Sequence, residues 1–186
     1  KANPNIVKCD YNKNDPQNSR FQGIIHYLTE KGGGDVITTG KVDVKPSSVY
    51  TNYNIHSIVE LHNEDSYFAT LDNGLNTYIE YDFKENKIHP TYYSLRSRPD
   101  GGKGSWNMKY WIIEGSNTGN NDWKTLDERS NIESLDDIKK SETFNIREKL
   151  EPNEFFRYIR IKLNGVDSHN NHYIVLSAIE FFGYLI

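Results

Sequence analysis

The sequence predicts an all-β domain, an antiparallel β-sandwich of about eight short strands with one or two short helices. Three observations favour this class. Aromatic residues make up 13% of the chain, with 13 Tyr and 8 Phe against one Met, a mixture that suits half-buried strands better than helical bundles. Several short stretches alternate apolar and polar residues. Clusters of Asn, Gly, Asp and Pro separate these stretches, as turns separate strands.

The chain has the length of a single domain. Its 186 residues are enough to bury about 70% of the unfolded surface, so folding requires no disulfide. Residues 1–20 are rich in Asn, Asp and Pro and predict an irregular lead-in. We expect residues 21–186 to form the domain.

Two short helices are predicted. Apolar residues recur at helical spacing over residues 21–31, and a run of three glycines that begins at Gly32 ends the pattern. The stretch SLDDIKK, residues 134–140, has Ser134 in a capping position, acidic residues next and lysines at its end. It predicts a brief second helix on the surface.

Alternation identifies the strands. In TYIEYDF, residues 77–83, alternate side chains from Thr77 onward share one face, and in FRYIRIKL, residues 156–163, Ile159 and Ile161 alternate with charged residues. Both stretches are predicted to be half-buried strands. Less regular runs predict further strands at residues 41–44, 57–61, 91–97, 110–114, 142–146 and 174–182.

Charge and cysteine content limit the partners and the compartment. A net charge of -4 and a pI near 5.9 provide no basic surface for nucleic acid. No apolar run is long enough to span a membrane, and we expect no membrane insertion. Cys9 stands alone, which excludes an internal disulfide and favours a reducing compartment. Because no Asn begins a glycosylation sequon either, we expect a cytoplasmic location.

All three tryptophans lie in one segment, SWNMKYWIIEGSNTGNNDW, residues 105–123. Trp111 lies inside a predicted strand and is expected in the core. Trp123 opens the next strand and is expected to be packed as well. Trp106 follows a polar, glycine-rich connection, where a large aromatic side chain either packs back on the domain or contacts a ligand. Trp106 is therefore the tryptophan to consider as a contact residue.

Six segments of the chain share a recognisable pattern: VELHNEDSYFAT, NTYIEYDF, TYYSLRS, WIIEGSNTGNNDWKTLD, FRYIRIKL and VLSAIEFFG. Together they resemble the coagulation factor V/VIII type C family, also called discoidin or galactose-binding-like domains. The most specific part is EGSN at residues 114–117 with Gly119 and Trp123, spaced before FRYIR at residues 156–160. The resemblance covers residues 20–186 and is closest to the disulfide-free branch found in protists. It implies an eight-stranded jelly-roll sandwich without catalytic activity.

The resemblance also implies a site, formed by loops at one end of the sandwich. By position, these loops are residues 47–54, 96–106 and 164–172. Members of the family bind glycans, phospholipid head groups or protein motifs, so the fold alone does not choose the ligand. Little aliphatic surface and no basic belt in these loops disfavour membrane binding. The predicted ligand-binding residues are Tyr50, Tyr53, Arg96, Arg98, Trp106 and His172.

Many members of the family hold a structural calcium ion through an acidic turn and a glutamate near the C-terminus. The matching residues here are Asn63, Glu64, Asp65 and Glu180. The usual Asp-Gly step of that turn reads Asn63-Glu64, and calcium requires about six to eight oxygen ligands, several of them well-placed carbonyls. We therefore predict no bound metal and no cofactor.

No group of side chains predicts catalysis. Asp167, Ser168 and His169 are adjacent in the chain, and chain neighbours rarely adopt triad geometry. Glu80 and Asp82 project from the same face of one strand, whereas a glycosidase needs carboxylates on opposite sides of a bound sugar. We predict that the domain is not an enzyme.

Two functions stay open from the sequence. The main hypothesis is a recognition module whose loops bind a protein or peptide partner, as one part of a larger intracellular chain. The alternative is a galactose-type carbohydrate-binding module, in which Trp106 or a tyrosine stacks on a sugar ring while Arg96, Arg98 or His172 bonds to its hydroxyl groups. Burying about 100 Å² of one ring contributes only about 2 to 3 kcal/mol, so a single sugar site would be weak.

Overall fold

The chain folds as a sandwich of two antiparallel β-sheets, seen in a computed structural model that describes residues 5–186. One sheet has the strand order β1-β11-β5-β8, the other has the order β2-β4-β9-β6-β7, and β3 pairs with β10 in a separate small sheet. The predicted all-β sandwich is confirmed. The strands are β1 (Val7–Cys9), β2 (Asp43–Pro46), β3 (Phe68–Ala69), β4 (Tyr78–Asp82), β5 (Ile88–Arg96), β6 (Trp111–Ser116), β7 (Lys124–Arg129), β8 (Ser141–Asn145), β9 (Tyr158–Leu163), β10 (Val175–Leu176) and β11 (Ala178–Leu185).

The core lies between the two large sheets. The predicted inward faces are confirmed, because Ile79 and Tyr81 of β4 and Ile159 and Ile161 of β9 are fully buried. The antiparallel register places Ile79 opposite Ile161 and Tyr81 opposite Ile159. Across the sandwich, the ring of Tyr81 meets Phe181 of β11 edge to face, with centroids 5.1 Å apart. Side chains of the two layers therefore interlock at the centre of the domain.

Trp111 connects the two sheets. It is fully buried on β6, and its indole N–H donates to the hydroxyl of Tyr93 on β5 of the opposite sheet at 2.8 Å. The Tyr93 hydroxyl in turn donates to Oδ2 of Asp127 on β7 at 2.6 Å, and Nε of Arg129 donates to the same oxygen at 2.8 Å. The indole N–H of Trp111, the Tyr93 hydroxyl and Oδ2 of Asp127 thereby all have hydrogen-bond partners in the interior. The predicted core position of Trp111 is confirmed.

Helix α2 (Ile24–Gly32), which follows the single turn α1 (Pro16–Ser19), packs on the sandwich and corresponds to the helix predicted over residues 21–31. It ends at Gly33, which has a left-handed φ of +72° and caps the helix. The residue before the helix, Gly23, has no side chain to cap it. Neither this helix nor any other described in residues 5–186 is both long and apolar enough to span a lipid bilayer.

Glu180 of β11 supplies the missing cap at the start of α2. Its carboxylate accepts backbone N–H groups from Gly23 at 3.0 Å, Ile25 at 2.8 Å and His26 at 2.9 Å, and also from its neighbour Phe181 at 2.7 Å. The first N–H groups of a helix have no partner within the helix, so this carboxylate satisfies groups that would otherwise be unpaired. One side chain thus joins the helix to the last strand of the sheet.

The lead-in is less irregular than the sequence predicts. Residues 1–4 of it lie outside the described residues. Strand β1 pairs with β11 at the edge of a sheet, with Val7 opposite Leu185, and α1 follows it. A strand of three residues is too short to show a period, so no alternation in the sequence indicates it. The first large sheet therefore begins at Val7.

Two predicted elements are wrong in type. Residues 57–61 were expected as a strand, but Ile55–Ile58 form a 3₁₀ helix in which the Asn54 side chain accepts the N–H of His56 at 3.0 Å. Residues 134–140 were expected as a helix and instead form turns. The backbone of that segment bonds to the two residues that follow β5, since the Lys139 N–H donates to the Arg98 carbonyl and the Ser97 hydroxyl donates to the Asp137 carbonyl.

Candidate functional site

A pocket opens where loops at one end of the sandwich meet the small β3–β10 sheet. Ala69 and Val175 are paired across that sheet and both line the pocket. They are small and buried, and the cavity above them measures about 270 Å³. The N–H of Tyr50 donates to the Ala69 carbonyl at 2.9 Å, which fixes the loop of residues 47–54 to the sheet. This volume is close to the lower end of small-molecule sites, about 300 Å³.

Five aromatic side chains surround the pocket. The ring of Tyr50 lies 6.1 Å from those of both Tyr53 and Tyr173, and the ring of Tyr53 lies 4.9 Å from that of Tyr67. Trp106 completes the group. Tyr50 is 41% exposed and the other four are half-buried, so the ring cluster is open to solvent. Such rings offer flat apolar faces with polar groups at their edges.

Arg98 is the one charged side chain among the described residues that line the pocket. Its Nη2 donates to the Tyr67 hydroxyl at 3.2 Å, and its guanidinium lies 4.9 Å from the Tyr67 ring and 5.9 Å from the Trp106 ring. Its Nε pairs with Asp100 at 2.7 Å. These contacts hold the guanidinium in place. Burial, together with a hydrogen bond to Tyr53, raises the pKa of Tyr67 to about 12 although Arg98 opposes the rise, so this hydroxyl keeps its proton at neutral pH.

Trp106 has an unusual backbone. Its φ is +58°, in a left-handed region that bulky residues seldom adopt, and Gly102 and Gly104 just before it also have positive φ. Its indole N–H donates to Oδ1 of Asn171 at 3.2 Å, and its ring centroid lies 4.5 Å from that of His169. The loop of residues 164–172 therefore supports Trp106, which is half-buried and still lines the pocket.

Asp167 shapes the supporting loop. Its buried carboxylate accepts backbone N–H groups from His169 at 2.9 Å, Asn171 at 3.0 Å and Tyr173 at 3.1 Å. The Ser168 hydroxyl accepts the N–H of Asn107 at 2.9 Å. The carboxylate is thus committed to the backbone while the His169 ring packs on Trp106. Asp167, Ser168 and His169 do not form a catalytic triad.

The structure brings together four of the six predicted ligand-binding residues, Tyr50, Tyr53, Arg98 and Trp106. Their role in binding stays a prediction. His172 does not line the pocket. Its Nδ1 lies 3.6 Å from Oδ1 of Asp72, and its N–H donates to the other carboxylate oxygen of Asp72 at 3.0 Å.

Arg96, the sixth predicted residue, is not placed at the pocket, and this position requires a correction. Its side chain is buried, with Nη1 donating to the Leu61 carbonyl at 2.8 Å, Nη2 to the Asn63 carbonyl at 3.4 Å and Nε to the Ser177 hydroxyl at 3.0 Å. The guanidinium also lies over the Phe21 ring, 4.7 Å from its centroid. Arg96 is therefore a structural residue that holds the turn before β3.

The same contacts bear on the calcium ion that the family resemblance raised. Carbonyl groups of the acidic turn, at Leu61 and Asn63, accept from the Arg96 guanidinium. The Glu180 carboxylate is fully buried and caps α2 with both oxygens. Asp65 is exposed and pairs with Lys139 at 2.8 Å. Asp65, Glu180 and the Leu61 and Asn63 carbonyls therefore already have partners within the domain, and these contacts would have to break before the groups could bind a calcium ion.

Two pocket residues were missed by the sequence reasoning. Tyr67 follows the acidic turn of residues 63–65, which was assigned to calcium and not to the binding loops. Tyr173 lies one residue beyond the loop that the resemblance placed at residues 164–172. Both tyrosines lie within two residues of the short strands β3 and β10. The signal that could have found them is the pairing of these two strands, which no periodicity in two residues can show.

Comparison with known proteins supports the fold. No protein-family model and no curated protein sequence matches the chain. Among solved structures, CpGH89CBM32-5 from Clostridium perfringens, in complex with GalNAc-β-1,3-galactose, is similar with a TM-score of 0.57 and 12% identity, over 77% of this chain and 96% of that chain. A fucose binding module of Streptococcus pneumoniae gives a TM-score of 0.55 and 18% identity, over 75% and 89% of the two chains.

A third similar structure is the f-lectin from striped bass (Morone saxatilis) serum. It has a TM-score of 0.58 and 17% identity, over 77% of this chain and 47% of that chain. Identities this low demonstrate a shared fold and leave the ligand undetermined. The chain therefore has the fold of a discoidin-like, galactose-binding-like domain.

Proposed function

We propose that this domain is a non-catalytic carbohydrate-binding module that takes one sugar residue in the aromatic pocket. The observation that supports this most is the cluster of five aromatic side chains around a cavity of about 270 Å³, with a single guanidinium at its edge. A sugar ring has apolar C–H faces that pack on aromatic rings and polar groups at its edge that need hydrogen-bond partners. The pocket offers both kinds of surface to a ligand of that size.

The similar structures favour a sugar over the protein partner that the sequence alone suggested. They include a module in complex with GalNAc-β-1,3-galactose, a fucose binding module and a Clostridium perfringens module in complex with galactose. Each is less than 20% identical to this chain. The fold is thus used for sugar recognition by several distant proteins, which supports the same use here.

A site of this kind binds weakly. Burying about 100 Å² of one aromatic ring against a sugar contributes about 2 to 3 kcal/mol, and only a few hydrogen bonds add to it. Such energies correspond to dissociation constants of roughly millimolar order. Useful avidity would require several linked copies of the domain or several sugars on one surface.

A comparison of two tryptophans tests the proposal. We expect a multivalent form of the domain to bind a subset of glycans on an array, and Trp106→Ala to abolish that binding because it removes one wall of the pocket. Trp123→Ala is the matched control, since Trp123 is also half-buried but packs on Arg160, 3.9 Å from its ring centroid, and does not line the pocket. Melting curves would verify that both variants fold.

Two results would contradict the proposal. One is the absence of saturable binding to any glycan by the multivalent wild-type domain. The other is equal loss of binding in Trp106→Ala and Trp123→Ala, which would mean that the effect comes from general destabilisation and not from the pocket.

A protein or peptide partner is the second candidate, and a specific observation favours it. Val49, Leu71 and Leu75 are exposed by more than 40%, as is Tyr50 beside the pocket. The Ser48 hydroxyl accepts the N–H of Leu71 at 2.9 Å, so two of these apolar side chains belong to adjoining segments. Exposed apolar groups of this kind often mark contact surfaces. Replacing Leu71 and Leu75 with serine should release a protein partner but leave sugar binding intact.

A further inference from the structure

Arg98 gives the pocket a chemical preference that goes beyond sugar binding in general. Among the described residues that line the cavity, there is no carboxylate and no carboxamide, and the only formal charge is that of Arg98. Asp100 neutralises part of that charge from outside the cavity, and its side chain is 60% exposed. The inner surface therefore presents one cation and the hydroxyl groups of tyrosines as its polar groups.

The guanidinium is fixed and retains hydrogen-bond donors. Its side chain is 15% exposed, and it is held by Asp100 through Nε and by Tyr67 through Nη2. A guanidinium carries five N–H groups in a planar fork. Within residues 5–186, Nη1 has no hydrogen-bond partner in the protein, so its N–H groups can be donated to a ligand.

The tyrosine hydroxyl groups also act as donors. The hydroxyls of Tyr53 and Tyr67 are hydrogen-bonded to each other, and Tyr67 accepts from Arg98 as well. The two phenol groups together carry two O–H protons, and one of these is donated in the hydrogen bond between them. Whichever way that bond runs, one O–H proton stays free for a ligand. The Trp106 N–H is already donated to Asn171 and is not available.

A ligand that fits this arrangement brings acceptors and negative charge to the Arg98 side of the pocket. A neutral sugar hydroxyl has a proton of its own that requires an acceptor, and the pocket provides few. A carboxylate only accepts, and it matches the guanidinium fork. A quaternary ammonium group would suit the aromatic rings alone, but Arg98 already lies over two of them and would repel it.

We propose that the pocket selects a carboxylate-bearing sugar, with the ring against the aromatic side chains and the carboxylate paired with Arg98. This inference rests on the proposed function of the domain. Asp100 weakens the binding of a sugar carboxylate, because its negative charge lies beside the same guanidinium and repels a second carboxylate there. Asp100 therefore sets the strength of the preference without contacting the sugar ring.

Matched pairs of sugars test this preference. The methyl glycosides of galacturonic, glucuronic and mannuronic acid would be titrated against those of galactose, glucose and mannose, with the indole N–H of Trp106 as an NMR probe. Each pair differs mainly by a carboxylate in place of a hydroxymethyl group. We expect at least one uronide to bind about tenfold tighter than its neutral partner, and this advantage to shrink as salt increases from about 50 to 500 mM.

Two substitutions make the test specific to Arg98. Arg98→Gln keeps hydrogen-bonding capacity without charge, and it should reduce the ratio of uronide to neutral-sugar affinity to about one. Asp100→Asn removes the competing charge and should raise uronide affinity by about threefold, with no change for the neutral sugar. A rise in uronide affinity for Asp100→Asn cannot result from misfolding. It therefore complements the loss of uronide preference expected for Arg98→Gln.

The outcomes separate this inference from the proposed function. Neutral sugars that bind as tightly as their uronides would overturn the preference but leave the carbohydrate-binding module intact. If none of the six glycosides binds and the glycan array is also negative, both the proposed carbohydrate-binding function and the preference for a carboxylate are wrong. A uronide advantage that persists in Arg98→Gln would overturn the assignment of the carboxylate to Arg98.

Discussion

Arg96 and Arg98 are two residues apart, yet their side chains have different roles. Arg96 ends β5 and turns its side chain inward, where two carbonyls and a hydroxyl accept from it. Arg98 lies beyond the strand and lines the pocket. The family resemblance assigned both to one loop, because it places residues 96–106 together by position. Burial separates them, since Arg96 is 3% exposed and does not line the pocket, whereas Arg98 does.

Replacing Arg96 with lysine should therefore damage stability rather than binding alone. A single ammonium group cannot reach Ser177 and the carbonyls of Leu61 and Asn63 together, so at least one buried acceptor loses its partner. We expect Arg96→Lys to lower the free energy of unfolding by about 1 to 3 kcal/mol, measured by urea denaturation. Arg98→Lys is the comparison and should cost less. Equal stability of Arg96→Lys and wild type would show that these contacts contribute little.

At the scale of elements, the loop that supports Trp106 depends on one carboxylate. Asn171 accepts the indole N–H, His169 packs on the ring and Tyr173 lines the pocket, and Asp167 accepts the backbone N–H of all three. Trp106 itself has a left-handed φ, a conformation that costs energy and persists only where the surrounding structure fixes it. The geometry of the pocket therefore relies on a side chain that does not line it.

Asp167→Asn should loosen this loop. An amide nitrogen in place of one carboxylate oxygen cannot accept an N–H, so at least one of the three backbone groups becomes unpaired, at a cost of about 1 to 3 kcal/mol. We expect hydrogen exchange at His169, Asn171 and Tyr173 to accelerate by about tenfold or more. Amides of β9 in the same sample are the internal control. Unchanged protection of the loop would contradict the role assigned to Asp167.

The elements also show what the sequence can predict here. The long strands β4 and β9 were found because five or six alternating residues reveal which side is buried. The family resemblance implied that the loops of the site lie together at one end of the sandwich. The side chains that line the pocket depend further on β3 and β10, each of two residues, whose pairing joins segments about one hundred residues apart. Tyr67 and Tyr173 were missed for that reason.

At the scale of the whole molecule, Glu180 joins helix α2 to the last strand. Four backbone N–H groups surround its carboxylate, and no water-accessible surface remains on the residue. Burial raises the pKa of Glu180 to about 7, although the four hydrogen bonds act in the opposite direction. The helix, the sheet and a titratable group are thus coupled in the interior of the domain.

This coupling predicts a pH dependence of folding. Because the Glu180 pKa is about 7 in the folded protein against an ordinary 4.5, the folded state binds more protons than the unfolded state between these values. Stability should then decrease as pH rises through this window, by up to about 3 kcal/mol from this group. The free energy of urea unfolding at pH 5, 6, 7 and 8 measures it.

Glu180→Gln provides the reference for that measurement. The variant has no titrating group at this position, so its profile should be flatter than that of the wild type between pH 5 and 7. It should also be less stable at each pH, because an amide nitrogen would face backbone N–H groups that need an acceptor. The other ionisable groups of the domain are the same in both proteins, so their contributions cancel in the difference. Parallel profiles for the two proteins would show that Glu180 stays ionised throughout, with its four hydrogen bonds outweighing the cost of burial.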